Sequence, residues 1–240
     1  MNYQLIAHRG YSAIAPENTL ASFQASLDQP IWGVEFDVHL SADGVPVIIH
    51  DATLERTTNA RGKVTETSIA QLQTLDAGSW FHPQFAEETI PTLEEVLKLF
   101  LPTPLRLYIE IKSHNNWSLS QIRNLLQLLK SWRDRCVLAS FDHNLLHQIK
   151  AETADFTLGY ALSSKTQYAQ DYLETLDPKQ EKILPHFSLV LEQPTVTKAL
   201  LDQGWDIITW TVDDPKIAEQ LGALNIVKII SNNLLQNLGA

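Results

Sequence analysis

Short apolar runs recur along the chain, with longer stretches of helical spacing between them. The runs at 5–8, 33–38, 45–50, 105–111, 136–140, 156–161, 182–184, 205–211 and 226–230 predict strands. Helices are predicted at 18–27, 93–100, 120–132, 143–150, 196–203 and 215–221. The first has Pro16 and Glu17 as start signals, and the third carries Ile122, Leu125, Leu126 and Leu129 on one face. Strand and helix in alternation predict a parallel sheet covered by helices. The expected fold is a TIM-type (β/α)8 barrel. Nine strand candidates are one more than such a barrel needs, so one should be marginal or belong to an insertion. The alternation lapses only from 51 to about 91, a segment with Thr57, Thr58, Asn59 and Gly62 and a helical piece around Gln71. That segment is the expected insertion, after the second and third strand region. No repeat, low-complexity tract or linker divides the chain, and a single domain over 1–240 is expected.

Composition narrows the chemistry. The chain has 240 residues, 28 acidic and 18 basic side chains, and a net charge of −10. That balance argues against a nucleic-acid partner, which needs clustered Lys and Arg, and against an anionic membrane surface. No apolar run approaches the roughly 20 residues that span a bilayer. The first ten residues lack the pattern of a secretory signal, and Cys136 is the one cysteine, so a cytoplasmic location without disulfides is expected.

Two strands carry charge in an unusual way. In Val34-Glu35-Phe36-Asp37-Val38-His39, Glu35 and Asp37 share one face and the valines and Phe36 the other. Leu107-Tyr108-Ile109-Glu110-Ile111-Lys112 repeats the arrangement. In an antiparallel sheet these charges would simply face water. In a helix-covered parallel sheet both faces are buried, and carboxylates there need a partner. One divalent cation, held by Glu35, Asp37 and Glu110, is the simplest. Hard oxygen donors favour Mg²⁺ or Ca²⁺ over zinc. His8 and His50 end strand candidates at the same end of the sheet, the end at which α/β barrels build active sites. A pair of imidazoles can accept and donate a proton in one cycle. Arg9 offers a planar fork for a phosphate, and Lys112 adds a point charge. Together these groups suit cleavage of a phosphodiester. His114 and His186 also fall near site-side strand ends but receive no role. His82, His143 and His147 read as insertion or helix-surface residues.

These residues resemble the glycerophosphodiester phosphodiesterase family. His8-Arg9-Gly10 with Pro16-Glu17-Asn18-Thr19 is similar to its opening signature. Glu35-Phe36-Asp37-Val38, Gly44 to Asp51 and Thr53 to Thr58 follow as a second block. Leu75 to Phe81 and Ile90 to Glu95 match its inserted region. Glu110-Ile111-Lys112, Ser140-Phe141-Asp142 and Trp210-Thr211-Val212 match later blocks. The resemblance implies a TIM barrel that hydrolyses a small glycerophosphodiester, such as glycerophosphocholine or glycerophosphoethanolamine, to an alcohol and sn-glycerol 3-phosphate. It implies Glu35, Asp37 and Glu110 on the cation, His8 and His50 as the acid–base pair, Arg9 and Lys112 on the phosphate, and Phe141 and Trp210 as apolar walls at the glycerol end. The nucleophile is water or the glycerol 2-hydroxyl. The closing block departs from the family's Thr-Asp-x-Pro type, reading Ser231-Asn232-Asn233-Leu234, and is expected to bear on substrate preference. Two rival readings are a phospholipase acting on intact lipid and a barrel that binds a phosphorylated metabolite without turnover. For the first, an insertion rim with Trp80, Phe81 and Phe85 is the one candidate membrane contact, though these read mostly as core or lid.

Overall fold

The computed structural model describes residues 3–113 and 117–235; His114 lies outside them. The strands are β1 (Gln4–His8), β2 (Gly33–Leu40), β3 (Pro46–Ile48), β4 (Arg106–Ile111), β5 (Cys136–Ser140), β6 (Thr157–Leu162), β7 (Glu181–Pro185), β8 (Ile208–Thr209) and β9 (Lys228–Ser231). Eight of them run parallel in the order β7-β6-β5-β4-β2-β1-β9-β8. Two isolated parallel bridges, Ile183 to Ile207 and His186 to Trp210, bring the ends of that order together. The result is the expected TIM-type barrel.

The ninth strand is β3. It pairs antiparallel with the far end of β2, outside the ring, with Val38 opposite Ile48. Its apolar run marks a pairing that opens the insertion and not a barrel stave. The insertion then carries α2 (Ile69–Leu72) and two 3₁₀ turns before α3 (Leu93–Phe100). It has a small core of its own, built from Val47, Ile49, Leu54, Val64, Leu72, Ala77 and Ile90. Trp80, Phe81 and Phe85 are not part of it. They stack edge to face on one another, and Trp80 is 42% exposed, so the core half of the core-or-lid expectation is corrected.

The remaining helices are α1 (Leu20–Leu27), α4 (Leu119–Leu128), α5 (His143–Glu152), α6 (Gln170–Leu173), α7 (Phe187–Glu192), α8 (Pro194–Asp202) and α9 (Pro215–Ala223). Capping fixes several starts: Thr19, Thr92 and Ser118 each bond the backbone N–H three residues on, and that third residue's side chain bonds back. The first helix therefore opens at Leu20, after Thr19, and not at Asn18. The predicted 120–132 helix breaks at Leu129 and finishes as a 3₁₀ turn. Neither α6 nor α7 was anticipated, because four and six residues are too few for periodicity to register.

Strand alternation divides the core into two layers. Ala7, Val34, Phe36, Val38, Leu107, Ile109 and Leu138 face the helices in the larger cluster. Ile6, Tyr108, Val137, Ala139, Leu184, Ile208 and Ile230 fill the barrel interior. Gly33 belongs to that inner face. A Cβ there would lie 2.6 Å from the Arg106 carbonyl oxygen and 3.0 Å from the Tyr108 ring, so the bare backbone leaves room for the tyrosine. Above this apolar plug, β1, β2 and β4 next present His8, Glu35 and Glu110, whereas β6 presents Ala161 and the positions after β5 and β8 are Phe141 and Trp210.

Candidate active site

Register assembles the site. On parallel strands, residues in register share a face. Pairing of β1 with β2 sets His8 beside Glu35, and pairing of β2 with β4 sets Asp37 beside Glu110. Alternation then adds Lys112 to the face of Glu110. One carboxylate oxygen from each of Glu35, Asp37 and Glu110 lies within 4.8 Å of the others. Glu35 and Asp37 are buried, as is Lys112. The alternative of charges facing water is thereby excluded.

The loop after β1 brings Arg9. Its backbone adopts a left-handed φ of 55°, costly for a residue with a Cβ, and Gly10 follows at φ 80°. Three bonds hold the turn. The Arg9 N–H donates to Glu35 Oε2 (3.2 Å), and its carbonyl accepts from the Asn18 N–H (3.0 Å) and the Ser22 hydroxyl (2.9 Å). A side chain at Gly10 would collide with Ser22, whose Oγ stands 2.4 Å from the Cβ position. The Arg9 guanidinium is thus set between Asp37 (3.2 Å) and Glu17 (2.8 Å).

His50 arrives by a different route. Two residues beyond β3, its carbonyl accepts a hydrogen bond from Nε2 of the buried His39 (3.0 Å). Its Nδ1 lies 2.6 Å from Asp51 Oδ1. Asp51 is gripped by Arg56 through two bonds of 2.7 and 3.0 Å, and Arg56 makes two more, each 2.8 Å, to Glu17. A chain of alternating charge therefore runs from His50 through Asp51, Arg56 and Glu17 to Arg9. Replacing Arg56 with Ala is expected to raise KM for the phosphodiester and lower kcat together, about 10-fold in kcat/KM. Steady-state kinetics with a melting control measures this; unchanged kinetics means the chain is ornamental to turnover.

Burial and crowding set the charges. Burial, then Asp37 and Glu110 beside it, push the Glu35 carboxyl well above its usual range. Burial would raise Asp37 too, but Lys112 and Arg9 outweigh it and hold that carboxyl far below normal. Glu110 is raised by burial and by Asp37. Burial, with Arg9 adjacent, pushes the His8 imidazole down to about 4. His50 is lowered as well, chiefly by burial. Asp37 Oδ1 is buried and pairs with Lys112 Nζ at 2.8 Å. Three carboxylates crowded within 4.8 Å, one of them raised well above its normal range by burial and by its acidic neighbours, fit a hard divalent cation bound through oxygen.

The groups open into a pocket of about 630 Å³ at the C-terminal ends of the strands. His8, Arg9, Glu35, His50, Glu110 and Lys112 line its polar side, and Phe141 and Trp210 its apolar side. The two rings meet edge to face at 5.3 Å, and Trp210 Nε1 donates to the Leu184 carbonyl (2.6 Å). A wider groove continues past His50 and Phe141, bordered by Asp51, Ala52, Ser113 and Ser140.

All nine residues singled out in the sequence thus lie in this one region: eight line the pocket, and Asp37 sits against Arg9, Lys112 and Glu110. Five contributors were not singled out: Glu17, Asp51, Arg56, Asp213 and Asn232. The first three stand in the motif blocks quoted above. Asn232 stands in the segment that departs from the family pattern, and its side chain reaches His8. Asp213 carries no local signal. His143 is also corrected: it is half-buried, bonded through Nε2 to the Ala161 carbonyl and packed on Tyr160 and Tyr172.

Fold and site together define a class, an α/β barrel whose mouth gathers three carboxylates placed so that they could hold a metal ion, two imidazoles, an arginine and a lysine. Comparison with known proteins narrows it. Residues 8–235 match the glycerophosphoryl diester phosphodiesterase family, and the chain belongs to it. A glycerophosphodiester phosphodiesterase of Caldanaerobacter subterraneus subsp. tengcongensis is 31% identical over 97% of this chain and 95% of that protein. The structure of an Oleispira antarctica phosphodiesterase in complex with the product sn-glycerol-3-phosphate superposes with a TM-score of 0.87. It is 32% identical, and the match covers 98% of this chain and 95% of that one. A glycerophosphodiester phosphodiesterase from Agrobacterium tumefaciens gives a TM-score of 0.79 at 26% identity, over 98% and 99% of the two chains.

Proposed function

We propose that this protein hydrolyses glycerophosphodiesters to an alcohol and sn-glycerol 3-phosphate, using Glu35, Asp37 and Glu110 to hold one Mg²⁺ or Ca²⁺. The carrying observation is the convergence of those three carboxylates within 4.8 Å at a pocket that both imidazoles line. Family membership and the product bound to the Oleispira relative support the substrate class.

The diester phosphate sits against Arg9 and Lys112, whose charges neutralise the oxygens as the transition state forms. When bound, the cation supplies Lewis-acid stabilisation of the same oxygens. The glycerol end packs on Phe141 and Trp210. The leaving alcohol occupies the open groove that His50, and not His8, borders. That placement divides the proton work. His8, whose Nδ1 contacts the neutral Asn232 amide, takes the proton from the attacking hydroxyl as its oxygen bonds to phosphorus. His50, whose Nδ1 faces the Asp51 carboxylate, gives a proton to the alkoxide as the phosphorus–oxygen bond breaks. The attacking hydroxyl is that of water or of the glycerol C2; the second route passes through a cyclic phosphate that water then opens.

A panel of glycerophosphocholine, glycerophosphoethanolamine and intact phosphatidylcholine, each with EDTA, Mg²⁺ or Ca²⁺, tests this. Release of sn-glycerol 3-phosphate from the deacylated diesters, dependent on the cation, is expected. Turnover of the intact lipid alone, or none with either ion, sinks the reading.

A further inference from the structure

Asn232 lies immediately after β9 and meets two groups with opposite needs. Its Nδ2 donates to Asp213 Oδ2 at 2.6 Å, and its Oδ1 stands 2.6 Å from His8 Nδ1. Asp213 is itself pinned. Its Oδ1 accepts from the Asn232 N–H (2.7 Å) and the Ser231 hydroxyl (2.9 Å), and its carbonyl accepts from Asn233 Nδ2 (3.0 Å). A second donor, the Ser12 hydroxyl, reaches Asn232 Oδ1 at 3.0 Å.

The direction of the amide follows from chemistry. A carboxylate only accepts, so the NH₂ of Asn232 must face Asp213. Turned over, the amide would set its oxygen against a carboxylate oxygen at 2.6 Å and lose that bond. The end facing His8 is therefore an acceptor, and His8 Nδ1 must carry the proton. In the neutral ring the lone pair then belongs to Nε2, the atom directed toward Glu35 at 3.8 Å.

We propose that Asn232, oriented by Asp213, is a positioning residue that fixes His8 as the Nδ1-protonated tautomer and so presents a bare Nε2 to the attacking hydroxyl. The two histidines are alike in geometry, each with an acceptor within 2.6 Å of Nδ1, and unlike in the charge of that acceptor. A neutral amide orients the ring while favouring the imidazolium less than a carboxylate does, so Asn232 pulls His8 toward the charged form more weakly than Asp51 pulls His50. The difference between one base and one acid is thus written in the partner residues, and the segment that departs from the family's closing block supplies half of it. The catalytic meaning rests on the reading of His8 as base; the tautomer does not.

The test is a ring ¹⁵N spectrum of the histidine-labelled full chain with Mg²⁺ at neutral pH, with the His8 signal assigned from its loss in His8→Asn. The expected pattern is a protonated Nδ1 and an unprotonated Nε2. In Asp213→Asn the amide is no longer forced into one direction, and a second tautomer should appear while kcat falls about 10- to 100-fold and KM changes less than about 2-fold. Asn232→Ala should give the same kinetic split with a ring signal averaged between tautomers. A wild-type His8 protonated on Nε2 overturns the proposal even if neither Asp213→Asn nor Asn232→Ala folds. An unaltered tautomer and kcat in a folded Asp213→Asn also overturn it. Should His8→Asn keep its turnover while the wild-type tautomer is as expected, the catalytic role of His8 fails and the positioning by Asn232 stands.

Discussion

Replacing either His8 or His50 with Asn is expected to lower kcat by about 10²–10⁴-fold with the barrel intact. Asparagine is chosen because its amide nitrogen falls near the place of Nδ1, keeping a donor for Asn232 at one site and for Asp51 at the other. What each substitution removes is Nε2, the proton-carrying atom. A kcat within about threefold of wild type in either variant removes that histidine from the mechanism. The His8 change has a second, independent signature in metal-free protein. Its imidazole titrates at about 4 when folded, against an ordinary value of about 6.5 in the unfolded chain. The unfolded state therefore binds the proton first as pH falls. The contribution is full above pH 6.5 and is lost between 6.5 and 4, up to about 3 kcal/mol. Urea melts at pH 7 and pH 4.5 should show the wild type losing more stability on acidification than His8→Asn; equal losses would mean that the imidazole is not held neutral.

The second large effect is expected at Glu35. Metal-free protein confines three carboxylates within 4.8 Å, and burial with Asp37 and Glu110 raises the Glu35 carboxyl. A raised acid destabilises the fold as pH climbs from about 4.5 through its folded value, because the unfolded chain releases the proton more readily. At neutral pH the site is therefore under electrostatic strain that the proposed cation would relieve. Mg²⁺ or Ca²⁺ at about 100 times its Kd should stabilise by about 2.7 kcal/mol, a Tm rise of roughly 5–10 °C. Glu35→Gln should abolish turnover and that cation-dependent rise, yet melt higher than wild type in EDTA. Its side-chain oxygen can still accept the Arg9 N–H. Asp37→Asn provides the contrast, since it strips the ionised group lying between Lys112 and Arg9 and should melt lower. Thermal melts with and without cation decide the matter; a Glu35→Gln protein that keeps both turnover and the cation response refutes the assignment of Glu35 as a ligand.

Much of the barrel is legible in the chain because its elements are local. The run at 136–140 and the helix at 93–100 are where periodicity puts them. The 205–211 run keeps only two residues as strand, though Ile207 still bridges to Ile183 in β7 and Trp210 to His186 just beyond it. The 45–50 run shows the limit more clearly. Its composition is that of a barrel stave, but β2 extends past the ring to Leu40 and captures it antiparallel, a choice made by the partner strand.

The sequence alone determined which side chains share a face: Glu35 with Asp37, and Glu110 with Lys112, since alternation is a property of one strand. It also determined where the β/α rhythm breaks and which residue types could serve a phosphodiester. The tertiary structure decided that Asp37 stands beside Glu110 and His8 beside Glu35, because register is set by packing between strands far apart in the chain. It decided, too, that Arg56 steadies His50 through Asp51, and that Asp213 turns Asn232 toward His8. The longest of those pairings, His8 with Asn232, joins residues 224 positions apart, which only the pairing of β1 with β9 brings together.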